Sequence, residues 1–269
     1  MVKIVGVGDN TVDTYLFSRK KFPGGNALNV AVLAMRYGAS SAYLGALGDD
    51  ENGKLIQKAL VAEGLDFSHC KMLKGIANAC AEVDLQDGER IFGHSSSGAS
   101  GMLQLDDSDL RYFNDFDVVH TSIYSHLDEQ IDAIRANSKI LSYDFSDHLD
   151  QIPRIKEILP KVDVGIISIS GITISPVQLL DEIKPKTSQV MIMTQGRKGS
   201  WVHHQNHLFH QEPVRMDIVD SMGAGDAFIA AFLVNFFSSG NLEKAIQGAA
   251  EKAAQNCLHE GAFGHAESF

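Results

Sequence analysis

At 269 residues and 44% hydrophobic content the chain has the size of one large α/β domain and can bury a substantial core. A net charge of −11 leaves no electrostatic footprint for nucleic acid or an anionic membrane, so an anionic ligand must be met by helix termini and a few cations. Cys70, Cys80 and Cys257 lack metal-type spacing, MVKIVGVGDN lacks a signal-peptide pattern, and no apolar run spans a bilayer, so a reduced, cytoplasmic protein is expected.

Val2–Gly8 reads as a compact strand ending in glycine. Gly6 and Gly8 resemble a dinucleotide turn, but the third glycine and the immediate helix are missing, which argues against a nicotinamide site. Asp9, Asn10 and Asp13 follow the strand's carboxyl end, where open α/β sheets bind ligands; a turn or a hydroxyl-binding edge would each use such residues. In PGGNALNVA, Gly24 and Gly25 permit close approach of backbone to ligand, and Asn26 and Asn29 share one helical face. A cap explains Asn26 alone; convergence on a set of hydroxyls explains both. The helix is predicted over Asn26–Tyr37 with Gly38 as its stop, followed by a strand at Ser41–Leu47 and a helix at Gly53–Glu63.

Ala79–Leu85 and Glu89–Phe92 flank QDG and read as a hairpin that interrupts the rhythm and leaves the main sheet as a lid. The β-branched stretches Val118–Ile123, Ile140–Phe145, Val164–Ile169 and Val190–Thr194 restore the alternation and predict a mostly parallel sheet covered by helices on both faces. TQGRKG, from Thr194 to Gly199, is a weak candidate cradle for phosphate. Trp201–His204 and His207–His210 surround QN as a second hairpin. Its His203 and His207 fall on different strands without a carboxylate or thiol nearby, which favours an exposed hairpin over a metal site.

VDSMGAGDAFIAAF carries the strongest chemistry. Small residues at Gly223, Ala224 and Gly225 precede an apolar helix over Ala227–Phe237, leaving its first N–H groups bare at the positive end of the dipole. Such a terminus binds phosphate. Asp226 beside it is either an N-cap or a base that takes a proton from an attacking hydroxyl.

Together these stretches resemble the ribokinase-like (PfkB) family of carbohydrate kinases. PGGNALNVAVLAMRYG with ALGDDENG resembles the family's N-terminal signature, and DSMGAGDAFIAAF its C-terminal one. The resemblance covers nearly the whole chain and implies a ribokinase-like three-layer α/β/α sandwich, a single domain over 1–269 whose lid comes from about 14–23 and 76–95. It implies ATP-dependent phosphoryl transfer to a sugar hydroxyl with Mg²⁺. Position by position, Asp226 is then the catalytic base and Gly223, Ala224 and Gly225 the anion hole. Asp9, Asp13, Gly25, Asn26 and Asn29 are substrate contacts, Thr194, Gly196 and Gly199 the nucleotide loop, and Asp220 a site for a monovalent cation such as K⁺. The family's Asn-x-x-Glu motif is absent: Ser168–Gly171 reads SISG, which leaves Mg²⁺ held mainly through ATP and water.

GDNTVD, GGNALNVA, HTSIYSH (His120–His126) and YDFSDHLD (Tyr143–Asp150) resemble the fructosamine kinases of the fructoselysine 6-kinase type. That implies the 6-hydroxyl of a fructosamine as acceptor, with Tyr124, His126 and Arg90 as candidates for specificity. Fructokinase or ribokinase activity is the nearest alternative, and a non-catalytic sugar- or nucleotide-binding regulator is the alternative of another class. Relatives that pair through the lid suggest a homodimer, with no nucleic-acid or membrane partner.

Overall fold

A computed structural model describes residues 1–86 and 89–269, with side chains outside 86–90. The chain runs β1 (Lys3–Val7), β2 (Thr11–Tyr15), β3 (Lys20–Gly24), α1 (Asn26–Arg36), β4 (Ser40–Leu44), β5 (Ala46–Gly48), α2 (Glu51–Glu63), β6 (Lys71–Leu73), β7 (Cys80–Gln86), β8 (Glu89–Ser96) and α3 (Asp107–Tyr112). It continues through β9 (Val118–Ser122), α4 (Ile131–Ala136), β10 (Ile140–Asp144), α5 (Ile152–Ile158), β11 (Val164–Ser168), α6 (Pro176–Ile183) and β12 (Val190–Thr194). The hairpin β13 (Ser200–His204) and β14 (His207–Gln211), the helices α7 (Ala224–Ser239) and α8 (Leu242–Asn256), and β15 (Glu267–Ser268) complete it.

Eight strands form the main sheet in the order β14-β13-β12-β11-β10-β9-β1-β4. β4, β1, β9, β10, β11 and β12 are parallel, and the histidine-bearing hairpin adds two antiparallel strands at one edge. Alternation along the strands divides the core. Ile4, Val118, Val164, Ile166 and Ile192 pack with α1, α2, α7 and α8, whereas Val5, Val119, Leu141, Ile167 and Met193 pack with α4, α5 and α6. The result is the expected α/β/α sandwich. Helix α7 is buried over Ala227–Val234, which explains why its sequence is apolar on every side.

The chain leaves β1 towards β4 on one side and returns as β9 on the other, so the strand order reverses at β1. Ligands of open α/β sheets lie at the carboxyl ends of such a reversal. Helix α1 sits unusually close to β1 there. A Cβ at Gly6 would lie 2.2 Å from the Ala27 carbonyl oxygen, so helix backbone rests directly on strand backbone.

A second sheet, in the order β15-β3-β2-β7-β8, stands apart from the first. Its antiparallel β7–β8 pair matches the predicted strands, starting at Cys80 and not at Ala79 and running on to Ser96, while Asp87 and Gly88 of the predicted turn lie outside the described residues. The single strand expected over Ser41–Leu47 is instead two. β4 ends at Leu44, and β5 pairs with β6 as a separate two-stranded ribbon. The chain turns out of the sheet at Gly45, where the Tyr43 ring folds over the backbone and donates its hydroxyl to the Gly8 carbonyl (2.8 Å). Among the described residues no helix is long and apolar enough to cross a membrane.

Candidate active site

On the α1–α7 side, each central strand changes from apolar to polar towards its carboxyl end. The series are Val118, His120, Ser122 on β9; Ile140, Ser142, Asp144 on β10; Val164, Ile166, Ser168 on β11; and Val190, Ile192, Thr194 on β12. Register places Ser142 beside His120 and Asp144 beside Ser122. A polar floor therefore opens at one end of an otherwise apolar face.

Asp9 lies beneath the start of α1. Its carboxylate accepts from the N–H groups of Asn26 (2.6 Å) and Ala27 (3.2 Å), and its backbone carbonyl accepts from Leu28 N–H (3.3 Å). The hydroxyls of Ser122 (2.6 Å) and Ser125 (3.0 Å) also donate to that carboxylate. The geometry thus differs from the expected substrate contact: Asp9 is buried and fully engaged as the cap of a helix whose own N-cap, Gly25, offers no side chain. Asn10 is likewise internal, donating to Tyr43 Oη (2.9 Å) and to the Ala46 carbonyl (2.8 Å). Asp13 is buried on β2 with its carboxylate against Gly24. Gly25 has φ 110° and lies so close to Asn10 that a Cβ would meet its Cα at 2.4 Å.

With α1 fixed in this way, both asparagines reach α7. Asn26 Nδ2 donates to Asp226 Oδ1 (2.7 Å) and Asn29 Nδ2 to Asp226 Oδ2 (2.6 Å). The two amides converge on the carboxylate of Asp226, not on ligand hydroxyls as expected. Asn29 Oδ1 is buried and meets no donor among the described residues, so it remains an acceptor for a hydroxyl. Three groups join the site that sequence reasoning had not singled out. Asn26 Nδ2 also donates to Asp144 Oδ2 (2.6 Å), while Asn26 Oδ1 meets His120 Nε2 (3.0 Å) and His120 Nδ1 meets Ser142 Oγ (3.0 Å).

These carboxyls are held away from their ordinary state. Burial pushes Asp226 up to about 7, with the charge of Asp9 adding to the rise and the Asn29 and Asn26 N–H groups opposing it. Burial raises Asp144 to about 7 as well, helped by the neighbouring charges of Asp226 and Asp9. His120 is fully buried, which lowers it to about 3 and keeps the ring neutral.

Asp226 stands in the first turn of α7, a 16-residue helix that no side chain caps. Gly223 holds the N-cap position at φ 74°, pressed against Ala262, where a Cβ would be 2.5 Å away. At Gly225 an added Cβ would meet nothing within 4 Å. Ala224 lies between them in the same turn, but its N–H is already donated to the Ser221 carbonyl (3.2 Å), which corrects the expectation that all three residues offer free N–H groups to an anion. Thr194 ends β12, and Gly196 (φ 55°) and Gly199 (φ 85°) shape the turn after it. Gly196 faces Ser170 of the SISG stretch. That stretch supplies hydroxyls and carbonyls but no carboxylate, and no cluster of three or more metal-ligating side chains exists among the described residues.

The monovalent-cation expectation for Asp220 does not fit its surroundings. Its buried carboxylate already accepts from Tyr15 hydroxyl (2.7 Å), Met222 N–H (2.6 Å) and Gly261 N–H (2.8 Å), three of the roughly four hydrogen bonds a carboxylate can take. Tyr124 is half-exposed in the turn after β9, its hydroxyl 3.0 Å from Ser146 Oγ beside the end of β10. His126, at φ 56°, closes the same turn. The side chain of Arg90 lies outside the described residues.

An uncapped helix N-terminus beside a carboxylate lies near the switch point of a parallel sheet, where open α/β folds bind ligands. The chain matches the pfkB family of carbohydrate kinases over residues 3–267 and belongs to that family. It is an enzyme that transfers a phosphoryl group to a sugar hydroxyl. It is 34% identical to fructosamine kinase FrlD of Bacillus subtilis (strain 168), over 98% of this chain and 94% of that one. It is 31% identical to fructoselysine 6-kinase of Escherichia coli (strain K12), over 98% of this chain and 100% of the other. Among solved structures, Arabidopsis thaliana ribokinase complexed with ribose and ATP superposes with a TM-score of 0.83 at 21% identity, covering 99% of this chain and 96% of that one.

Proposed function

We propose that this chain transfers the γ-phosphoryl group of ATP to the 6-hydroxyl of a fructosamine such as fructoselysine, with Asp226 as the base. The observation that carries the proposal is the placement of Asp226: a carboxylate gripped by two asparagine amides in the first turn of an uncapped helix. The substrate class is supported by near full-length similarity to two fructosamine-type kinases. The neighbouring carboxyls of Asp9, Asp144 and Asp226 also suit a sugar whose amine is cationic.

In this reading the acceptor hydroxyl lies against Asp226, and its proton passes to the carboxylate as the oxygen attacks the γ-phosphorus. Phosphoryl transfer needs positioning and charge stabilisation more than covalent chemistry. Asn29 Oδ1 and Asp13 accept from other sugar hydroxyls. The positive end of the α7 dipole, opened by Gly223 and Gly225, receives the negative charge of the transferring group. Thr194, Gly196 and Gly199 border the nucleotide. With no carboxylate in Ser168–Gly171, Mg²⁺ would be held through the ATP phosphates and water and would supply neutralisation of the phosphate charge. Asp220, holding three hydrogen bonds of its own, is given no step in this reading. The second sheet acts as the lid that excludes water from the site. Its exposed Ile91 and Phe92, with nearby Leu16 and Phe17, suit pairing of two lids in a homodimer.

Mg·ATP turnover measured over fructoselysine, other fructosamines, fructose and ribose tests the reading, with Asp226→Asn alongside. Preference for a fructosamine, abolished by the substitution, is expected. Preference for a plain sugar overturns the substrate class and leaves the kinase intact.

A further inference from the structure

His120 is completely buried, and phosphoryl transfer as described above gives it no task. The direction of every hydrogen bond around it follows from the far end of the chain of contacts. Asp226 and Asp144 both accept, so Asn26 turns its NH₂ towards them. The Asn26 carbonyl oxygen, an acceptor only, then faces His120, and Nε2 must carry the ring proton. Nδ1 is left as an acceptor, and the Ser142 hydroxyl donates to it. All donors point the same way, from Ser142 through His120 and Asn26 to the two carboxylates.

We infer that Ser142 and His120 form a positioning relay that holds the Asn26 amide against Asp226 and Asp144 and so fixes the orientation of the base. The inference rests on the reading of Asp226 as that base. Hydrogen bonds aligned in a buried chain polarise one another, and a single ring tautomer allows one amide orientation only. Burial keeps the imidazole neutral, so the ring itself stays in one protonation state across the working pH range. The groups facing Asp226 are Asp9 from the loop after β1, Asp144 from β10, and Asn26 and Asn29 from α1, with His120 acting through Asn26. Only Asn26 is under the relay's control. Without its directed N–H the Asp226 anion is less stabilised, and the acid limb of the rate profile moves to higher pH.

Two substitutions of similar size separate positioning from space filling. Glutamine at 120 places an amide N–H near the position of Nε2, whereas asparagine places its amide near Nδ1. His120→Asn is expected to lose about 10- to 100-fold in kcat on fructoselysine, with the acid limb of kcat displaced upwards. His120→Gln should keep most of the native kcat and the native limb, and Ser142→Ala should fall between the two. Equal losses in both His120 variants with an unmoved limb would show that the ring only fills space. Nitrogen-15 NMR of the native imidazole is a readout independent of turnover. It should report the Nε2–H tautomer, and an Nδ1–H tautomer would overturn the relay. Retention of turnover by Asp226→Asn would instead remove the base reading, a result distinguishable from failure of the relay alone.

Discussion

Two helices, α1 and α7, bring their N-termini to the same edge of the sheet, and the two ends are finished in opposite ways. At α1 the N–H groups of Asn26, Ala27 and Leu28 all end on a single residue, Asp9. At α7 no side chain caps the turn, and Gly225 faces open space. Both ends present the same partial positive charge. A carboxylate supplied from within the fold makes the first a fixed support for Asn26 and Asn29. Left without a side-chain cap, the second is, on the proposed function, a receptor for charge that arrives with a substrate. On that reading a helix terminus is architecture in one place and catalytic machinery in the other, and the difference lies in where the anion comes from.

Substitutions at the two ends should therefore fail differently. Asp226→Asn is expected to reduce kcat by about 10²- to 10⁴-fold while the protein stays folded, measured in a coupled ADP assay. Asp9→Ala should chiefly unfold the chain, lowering stability by about 2–4 kcal/mol in urea titration, because it strands several buried donors. If Asp9→Ala were as stable as the native protein, the contrast between the ends would collapse. Gly225→Ala sharpens it from the other side. Stability should hold or rise by about 0.5–1 kcal/mol, since the added methyl meets nothing. The KM for ATP should rise on the order of tenfold, since that methyl occupies the space beside the α7 terminus where the phosphate is received.

A smaller effect concerns pH. The raised carboxyls of Asp226 and Asp144 favour the protonated folded state, so their stabilising contribution is full below the ordinary value of 3.8 and is lost as pH rises through about 7. Asp226→Asn should accordingly be more stable than the native protein at pH 8, by about 1–2 kcal/mol, with the gap closing on acidification. Thermal melts at several pH values test this; a gap that widens towards acid would reverse the assignment. The rate moves in the opposite sense, falling below about pH 7 as the base is protonated. Exchanging K⁺ for a bulky organic cation should leave kcat/KM unchanged, because three donors already engage the Asp220 carboxylate. Activation by K⁺ would show that those donors give way.

Much of this arrangement is legible in the residue order. The spacing of Asn26 and Asn29, the glycines before Asp226, and the alternation of β-branched strands each act locally, through helix periodicity, backbone freedom and pleat. What stays hidden depends on neighbours distant in sequence. Asp9 looks like a ligand because it follows a strand, and only the packing of α1 on β1 reveals it as a cap. His120, Ser142 and Asp144 meet through the register of two parallel strands, which no local pattern sets. A signal did exist: polar residues two apart at the ends of otherwise apolar strands, His120 with Ser122 and Ser142 with Asp144, mark one face as a site. The break at Gly45 was hidden for the same reason, because the Tyr43 hydroxyl that accompanies it finds its partner at Gly8.

The missing side chain at Gly6 acts as a setting of depth. Because strand and helix backbones touch there, the amides of Asn26 and Asn29 start from a platform low enough to meet a carboxylate on another helix and one on a third strand of the sheet. A methyl group at that position would alter no reacting atom. It would raise the platform, and asparagine, one of the shortest amide side chains, has no length in reserve to follow. Reach, in this enzyme, is decided by a residue that reaches nothing.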